Sequence, residues 1–484
     1  MTISTRILIF FTAVIGIIGI VYSWPVFLSI LLTIFAAVLA WLYLPLILIL
    51  LPAVLPYLPA LNPAADIDLA SGRLLIVFLA VIGSIYIVYT KKSWFSLSAP
   101  TLLILFFLAW ALSSGFMAED SGRFIRKYLV FLTIFPIYFL TLTYLRKKSH
   151  WEKLFSYWSW SAFLVSLIGL GQFLFQFVGS KESFFAYWGK YVAPFLFGAN
   201  AGEAVASNPS WLVGIGGVDI LRALSVFPDP HMLAFYLGMS LPLQVAYVLN
   251  SKKKEYWFLP AVSLITLLLT FSRGSYVGLI GVTAWFLLYM LKKGIHNIFI
   301  YRAIVALAVI GLVVFSVAPI RDRFTSILDF NEGSNKGRLE IWAEAAEVIK
   351  YNPMTGVGLG NYANFVRPEA DYREPIYAHN SYLDLAGEIG LPGALAWILL
   401  LFWGINPLFS VETQNFASLY GNKNKLDYYN LAAALGILWF SLHSIFETPL
   451  FSPQILPLIL ILLAFRVFCS SRSKPHPGFG NRSS

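Results

Sequence analysis

The sequence predicts an all-α protein that crosses a lipid bilayer many times. Of its 484 residues, 58% are hydrophobic and only 12% are charged. The apolar residues form runs of about 16–25 residues, each about as long as a bilayer core is thick, and short polar segments separate them. Counting these runs gives about fourteen transmembrane helices. They argue against a soluble protein of several domains, which the length alone would allow.

The N-terminal run begins after Arg6 and extends to about residue 22. It resembles a signal peptide, but no small-residue cleavage site follows, and Trp24-Pro25 leads straight into more apolar sequence. We therefore expect a retained first span. The segment from about residue 25 to 60 is uncharged and long enough for two further spans. The break between them is expected near Leu44-Pro45.

The remaining runs complete the count. They lie at about 73–90, 98–116, 127–145, 155–177, 231–249, 256–271, 275–291, 299–317, 383–405, 430–446 and 449–468. The polar segments between them suggest six parts. These are N-terminal transmembrane helices (1–177), a first large outer loop (178–230), central transmembrane helices (231–317), a second large outer loop (318–380), C-terminal transmembrane helices (381–468) and a cytoplasmic tail (469–484).

Cationic residues gather at the ends of the apolar runs. In a soluble protein the net charge of +10 would suggest a nucleic-acid partner, but here the charge is typical of orientation signals, and we expect no nucleic acid. The clusters fall on one side of the membrane if the spans alternate, at 91–92, 146–148, 252–254, 292–293, 423–425 and 466–474. That side is predicted to be the cytoplasm, so both large loops face outward. The single cysteine, Cys469, excludes an internal disulfide.

The second outer loop contains an amphipathic helix. Leu339, Trp342, Ala346 and Ile349 are expected to form its apolar face. Such a helix lies on a surface and does not span. It should end at Tyr351-Asn352-Pro353, because proline cannot continue the hydrogen-bond ladder.

Several cationic groups are predicted at the outer edge of the membrane. They are Arg222, His231, Arg273, Arg338 and His379. Positive charge is unusual there, and the planar fork of a guanidinium matches phosphate oxygens. The sequence therefore indicates a site for an anionic, lipid-borne pyrophosphate. Arg273 and Arg338 also have plainer interpretations, because Arg273 can anchor a helix end and Arg338 can bind loop carbonyls or a glutamate.

His379 precedes the next apolar run and suits a general base. Alternatively, the segment is only a helix cap, in which Asn380 or Ser381 binds the free amides and the histidine is incidental. Asp384 and Glu388 share a face of the following helix. They are expected either to orient the histidine or hold an arginine, or to form a structural ion pair.

Three weaker patterns have structural explanations. Gly356, Gly358 and Gly360 lack the lysine and hydroxyl residue of a nucleotide loop, so nucleotide binding is disfavoured. His443 and Glu447 stand four residues apart, and we favour a structural hydrogen bond between them over a metal site. The aromatic residues of the first outer loop, dense between 184 and 191, indicate an interfacial belt, with stacking on sugar rings as the alternative.

The order of motifs from about Arg222 to Phe409 resembles the O-antigen ligase and polymerase superfamily. The motifs are SRG at a span edge, R-x3-W in the loop helix, NP-x2-G-x-G-x-GN, AHN-x-YL, and E-x-GL-x-G in the re-entering helix. The resemblance implies a membrane glycosyltransferase of the GT-C kind in a bacterial plasma membrane. Its donor would be a glycan on undecaprenyl pyrophosphate, its acceptor a sugar or lipid-sugar hydroxyl, and transfer would be inverting, without metal or other cofactor.

Site residues follow from the same resemblance. Arg273 and Arg338 match the family's essential arginines, which would neutralise the leaving pyrophosphate, and His379 matches its essential histidine. Substrate-binding roles are expected for four further residues, Arg222, His231, Asn380 and Glu388. Ligase and repeat-unit polymerase are not separated by these motifs, and a protein O-oligosaccharyltransferase shares them. A solute transporter is the alternative from another class, because relatives have been proposed to carry inorganic carbon.

Overall fold

The computed structural model describes residues 24–64, 67–90, 97–198, 209–215, 217–292, 333–367, 376–409 and 425–473, with isolated positions 316, 321 and 325. The predicted first span and nearly all of the predicted span at 299–317 lie outside this set. The described residues are mostly helical, so the predicted fold class is confirmed at the level of a helical membrane protein.

The helices are numbered here in chain order. They are α1 (Trp24–Val54), α2 (Ser71–Thr90), α3 (Ala99–Ser113), α4 (Ser121–Ile134), α5 (Pro136–Tyr144), α6 (Lys148–Phe175), α7 (Lys181–Tyr187), α8 (Ala193–Phe197), α9 (Pro230–Ser251), α10 (Phe258–Leu268), α11 (Arg273–Lys292), α12 (Gly333–Tyr351), α13 (Tyr362–Val366), α14 (Ser381–Ile405), α15 (Lys425–His443) and α16 (Leu456–Ser473).

Two short antiparallel hairpins lie between helices and were not predicted. In the first, β1 (Ala60–Ala64) pairs with β2 (Ile67–Ala70). In the second, β3 (Leu212–Ile215) pairs with β4 (Val218–Leu221). Both occupy connections between long helices, where the segments are too short for the sequence pattern to distinguish a strand from a loop.

Seven helical segments among the described residues are long and apolar enough to cross a membrane. They are Ala36–Tyr57, Ser71–Thr90, Ala99–Met117, Ser121–Tyr144, Lys148–Phe175, Pro230–Ser251 and Ser381–Leu408. The chain is therefore a multi-pass membrane protein, whereas the prediction of about fourteen spans is not confirmed. Six of the seven match predicted apolar runs closely, because a long uncharged stretch is the strongest signal a sequence gives.

The structure refines three details of the predicted spans. Helix α1 is interrupted by the non-helical backbone of Tyr43, so the break expected near Leu44-Pro45 is present, although the membrane-length segment Ala36–Tyr57 continues through it. The run at 256–271 gives only the 11-residue α10, about 16 Å long and too short to cross a bilayer alone. Arg466, assigned to the basic end of the chain, is buried in α16, where it donates to the Gly404 carbonyl at 3.0 Å and contacts Asn430.

The last helix, α16, lies at the centre of the helical bundle. Its residues from 458 to 465 are fully buried on every side, as expected for a helix that is apolar all round. It packs against α5 and α15, and α15 packs in turn against α9 and α11. Trp397 of α14 and Trp439 of α15 are among the largest side chains of this core. The bundle holds the N-terminal ends of α9, α11 and α14 near the C-terminal end of α15.

The predicted amphipathic helix is α12, and it ends at Tyr351 as expected. Its buried face differs from the prediction, because Ala345 and Val348 are buried while Leu339 is 46% exposed and Ala346 is exposed. The packed side is rotated toward Ile341, Ala345 and Val348, which meet Tyr362 and Ala378. Contacts between α12 and the end of the loop, in addition to hydrophobicity, determine which side of the helix is buried.

Candidate active site

The candidate site lies where the loop before α14 meets the turn between α15 and α16. The Ser381 backbone N–H donates to the Ser444 carbonyl at 2.9 Å, and its hydroxyl donates to the Glu447 carbonyl at 3.0 Å. The Tyr382 hydroxyl donates to the Ser441 carbonyl at 2.8 Å. These bonds place His379 directly against Glu447.

Glu447 is the centre of the site. Arg338 Nη2 donates to Oε1 of this carboxylate at 3.1 Å, and His379 Nδ1 lies 3.1 Å from Oε2. His231 Nε2 lies 3.6 Å from Oε1. The Glu447 side chain is only 11% exposed, so it depends on these partners for the hydrogen bonds that water would otherwise make. Three residues far apart in sequence therefore converge on one buried carboxylate.

The charges around Glu447 determine its ionisation. Burial raises the pKa of its carboxyl group, but the imidazole of His231, the hydrogen bond from His379 and the charge of Arg338 lower it by more. The pKa therefore lies well below its usual range and the group is an anion. A carboxylate only accepts hydrogen bonds, so Nδ1 of His379 carries the proton and donates it. The hydrogen bond to Glu447 in turn raises the pKa of His379, more than burial lowers it.

His379 has an unusual backbone. Its φ is +50°, in the left-handed region that residues other than glycine seldom adopt. The next residue, Asn380, caps α14, since its side-chain oxygen accepts from the backbone N–H groups of Tyr382 and Leu383 at 3.0 and 3.2 Å. The cap anticipated as the plainer alternative is thus present, but it does not make the histidine incidental. The imidazole is 41% exposed and faces Glu447.

Arg273 begins α11 and is buried. Its neighbours in the chain both touch the network around Glu447. Ser272 Oγ lies 3.0 Å from His231 Nδ1 and 3.2 Å from His443 Nε2. Gly274 packs so closely on His443 that a β-carbon there would lie 2.5 Å from the imidazole. The structure thus brings Arg273 to the same end of the bundle as Arg338 and His379.

Arg222 is held mainly by backbone. Its Nε donates to the Thr270 carbonyl at 2.7 Å and its Nη1 to the Ser210 carbonyl at 2.8 Å, while Nη2 lies 3.4 Å from His231 Nε2. His231 therefore connects Arg222, Ser272 and Glu447. The predicted substrate-binding roles of Arg222 and His231 stay predictions, but both residues lie in the cluster.

Glu388 forms an ion pair with Lys127 of α4. Lys127 also lies over the rings of Phe451 and Tyr377, 4.1 and 5.2 Å from their centroids. This is the structural ion pair that the sequence left open as an alternative, and the partner is a lysine rather than an arginine. The glutamate is buried, so its predicted role in substrate binding gains no support from its position.

The prediction of a hydrogen bond between His443 and Glu447 is wrong. His443 Nε2 contacts Ser272, and its Nδ1 has no hydrogen-bond partner among the described residues. Its ring stacks on Phe235 with the centroids 3.8 Å apart. Glu447 is directed instead at Arg338 and His379. The sequence alone gave no signal for this pairing, because the partners lie 109 and 68 residues away.

The glycine turn after α12 packs on protein. Gly356 has φ +64°, and a β-carbon there would overlap the Glu388 carbonyl. The adjacent Val357 N–H donates to the Gly387 carbonyl at 2.9 Å. This close approach to α14 explains why glycine is required at this position.

The aromatic residues of the first outer loop form a small core. Phe184 is buried and stacks on Trp188, while Phe185 stacks on Trp211. Tyr187 remains 63% exposed. Packing within the loop therefore accounts for part of the aromatic density that the sequence assigned to an interfacial belt.

A cavity of about 310 Å³ adjoins the site. Most of its lining is apolar and comes from the segment after α1 and the first hairpin, from the end of α8 and from the turn after Glu447. Met232, Tyr377 and Thr448 also line it, and each lies within two residues of His231, His379 or Glu447. Its volume lies at the lower end of the range of small-ligand pockets. Across the described residues, no group of three or more His, Cys, Asp or Glu side chains could hold a metal ion.

The fold and this cluster define a multi-pass helical membrane protein with a buried carboxylate, an arginine and histidines at one end of its helices. A model of the O-antigen ligase family matches residues 258–398. The match contains Arg273, Arg338 and His379 in the order expected, and it supports the O-antigen ligase and polymerase superfamily. No curated protein matches the chain. Glu447 lies beyond the matched segment.

Proposed function

We propose that the protein transfers a glycan from a polyprenyl pyrophosphate, in bacteria undecaprenyl pyrophosphate, to a hydroxyl group of a sugar or glycolipid outside the cytoplasm. The observation that carries this proposal is the convergence of Arg338 and His379 on Glu447. The Arg338 guanidinium suits a phosphate, the His379 imidazole suits a hydroxyl, and the Glu447 carboxylate binds both groups.

His379 is the proposed base. With Nδ1–H donated to Glu447, the lone pair of Nε2 is free to accept a proton from the acceptor hydroxyl. The hydroxyl oxygen forms a bond to the anomeric carbon as the bond from that carbon to the pyrophosphate oxygen breaks. The proton moves to Nε2, and the pyrophosphate departs with the bonding electrons. Glu447 stabilises the imidazolium that results, as a buried carboxylate does beside a catalytic histidine.

Arg338 and Arg273 are the proposed binders of the pyrophosphate. Negative charge grows on the leaving group in the transition state, so cations fixed beside it lower the barrier more than they stabilise the bound donor. Arg338 donates one N–H group to Glu447. A guanidinium has five N–H groups in all, so others remain to bind phosphate oxygens. Removing one such group typically lowers the rate about 10²–10³-fold.

The neighbouring cavity supports a lipid-linked substrate. Its lining is mostly apolar and includes Leu55, Leu196 and Phe451 together with Thr448, the neighbour of Glu447. An isoprenoid chain placed there would lie beside the turn that carries Glu447. The apolar lining thus matches the lipid part of such a substrate.

The orientation of the helices supports an outward-facing site. Helix α9 begins beside the site and ends at the basic segment 252–254, while α15 begins at Lys425 and ends beside the site. The basic clusters therefore lie at the opposite ends of the helices that build the site. By the positive-inside rule those ends are cytoplasmic and the site is extracytoplasmic.

Deleting the gene and separating the surface glycans on a gel tests the proposal. Unattached lipid-linked polymer accumulates if the protein is a ligase, and a surface structure bearing a single repeat indicates a polymerase. Loss of glycan from proteins alone indicates a protein O-oligosaccharyltransferase. Unchanged glycans with altered uptake of a solute such as bicarbonate would contradict glycosyl transfer and favour transport.

A further inference from the structure

The pairing of His379 with Glu447 requires a backbone that the chain does not adopt by itself. His379 has a left-handed φ of +50°, and a strained residue keeps such a conformation only where its surroundings determine it several times over. The groups that determine it lie on three elements, α12, α14 and the turn after α15.

Asp384 holds both sides of the pair. Its Oδ1 accepts the backbone N–H of Ala378 at 2.7 Å, directly before His379, and its Oδ2 accepts the hydroxyl of Thr448, directly after Glu447. Asp384 is 2% exposed, so water cannot replace either bond without opening the helix. One carboxylate thus connects the residue before the imidazole to the residue after the anion.

Helix α12 binds the same residue, Ala378, through its carbonyl group. Trp342 Nε1 donates to the Ala378 carbonyl at 3.0 Å. Trp342 lies one helical turn after Arg338, so both project from the same side of α12. The helix that presents the arginine to Glu447 therefore also binds the backbone before His379.

We propose that Asp384, Thr448 and Trp342 are positioning residues that set the geometry of the His379–Glu447 pair. The proposal rests on the proposed function, because it concerns the same site. Their hydrogen bonds engage Ala378 and Thr448, the residues next to His379 and Glu447, so each acts on the pair through its backbone. A purely structural role would lower the amount of folded protein, whereas a positioning role lowers turnover in protein that is folded normally.

The pH dependence of turnover separates these roles. The charged groups facing His379 are Glu447, Arg338 of α12 and Asp384 of α14, and Glu447 also faces His231. Of these, Glu447 exerts the strongest effect and raises the pKa of His379. Loosening the pair lowers that pKa, so the acid side of the rate profile must move to lower pH. A neutral base is then available at lower pH but is badly placed.

The test uses the full-length protein purified in detergent and mixed with membranes of the deletion strain, which contain the natural donor and acceptor. Initial rates of glycan transfer are measured on gels across pH, and with increasing amounts of extracted lipid-linked glycan. Thr448→Val removes the hydroxyl at nearly constant volume, Thr448→Ser retains it, and Trp342→Phe removes only the indole N–H. Thr90→Val is the matched control, because its hydroxyl bonds a carbonyl of its own helix far from the site.

We expect Thr448→Val and Trp342→Phe to lower kcat roughly tenfold and to move the acid limb to lower pH. KM for the lipid-linked glycan should stay nearly unchanged in Trp342→Phe, whose side chain does not line the cavity that Thr448 lines. Thr448→Ser should restore the wild-type profile. Normal kcat and an unmoved profile in Thr448→Val would overturn the positioning role. If His379→Ala is also fully active, the proposed function itself fails, so the two failures are distinguished.

Discussion

Replacing Glu447 by glutamine removes one charge from the centre of the site and preserves its shape. At 3.1 Å, the attraction between this carboxylate and the Arg338 guanidinium is about 5 kcal/mol at an effective dielectric constant of about 20, before the opposing cost of desolvation. The amide nitrogen of glutamine must also face either Arg338 or His379, which are both donors. The variant therefore loses one hydrogen bond and weakens the other.

A net loss of about 3 kcal/mol in the transition state corresponds to a rate roughly 10²-fold lower. The assay is glycan transfer by Glu447→Gln at several pH values, with the protein level in the membrane measured in parallel. Loss of the charge also lowers the pKa of His379, so the remaining activity should extend to lower pH. Glu347→Gln is the control, because that side chain is 60% exposed on α12. Full activity of Glu447→Gln with an unchanged pH profile would refute the central role of this carboxylate.

Three further results are expected. Arg273→Lys should transfer glycan poorly while inserting normally, because an ammonium lacks the bidentate fork; wild-type transfer by this variant would point to anchoring alone. In the wild type, transfer should rise with pH through a value above the ordinary pKa of histidine, because the hydrogen bond that His379 donates to Glu447 raises the pKa of the base; a rate that falls over that interval would exclude a neutral base. Gly390→Ala should destabilise the purified protein by about 2 kcal/mol or more, because φ is +77° and a β-carbon would overlap the Met354 carbonyl. A thermal unfolding curve checks this against Gly171→Ala, which has open space; equal midpoints for the two variants would contradict it.

The long apolar runs predicted most of the spans in the described residues, because a bilayer imposes a length that a sequence displays directly. The same reasoning failed where length was marginal. The run at 256–271 contains α10, which stops after 11 residues, and the chain then turns so that Arg273 begins α11 at the site. The turn itself was predicted, because Ser272-Arg273-Gly274 separates the two apolar runs, but the sequence does not show that the helix before it is so short.

The candidate site was predicted only in part. Arg338 and His379 were selected by their motifs and their position at a membrane edge, and the structure places them together. Glu447 was assigned to His443, its neighbour at helical spacing, because spacing is the only distance that a sequence displays. Its real partners depend on how α12, α14 and α15 pack. Asn380 was predicted correctly as one of two possible caps, since capping is a local interaction.

The most direct test of the account is complementation of the deletion strain with His379→Ala and Arg338→Ala, with Arg367→Ala, an exposed arginine of the same loop, as the control. The measurement is the amount of transferred glycan relative to lipid-linked glycan at equal protein level. The account predicts that transfer falls at least 10²-fold in the first two variants, that the lipid-linked form accumulates, and that the control matches the wild type. Wild-type transfer by both His379→Ala and Arg338→Ala would contradict it.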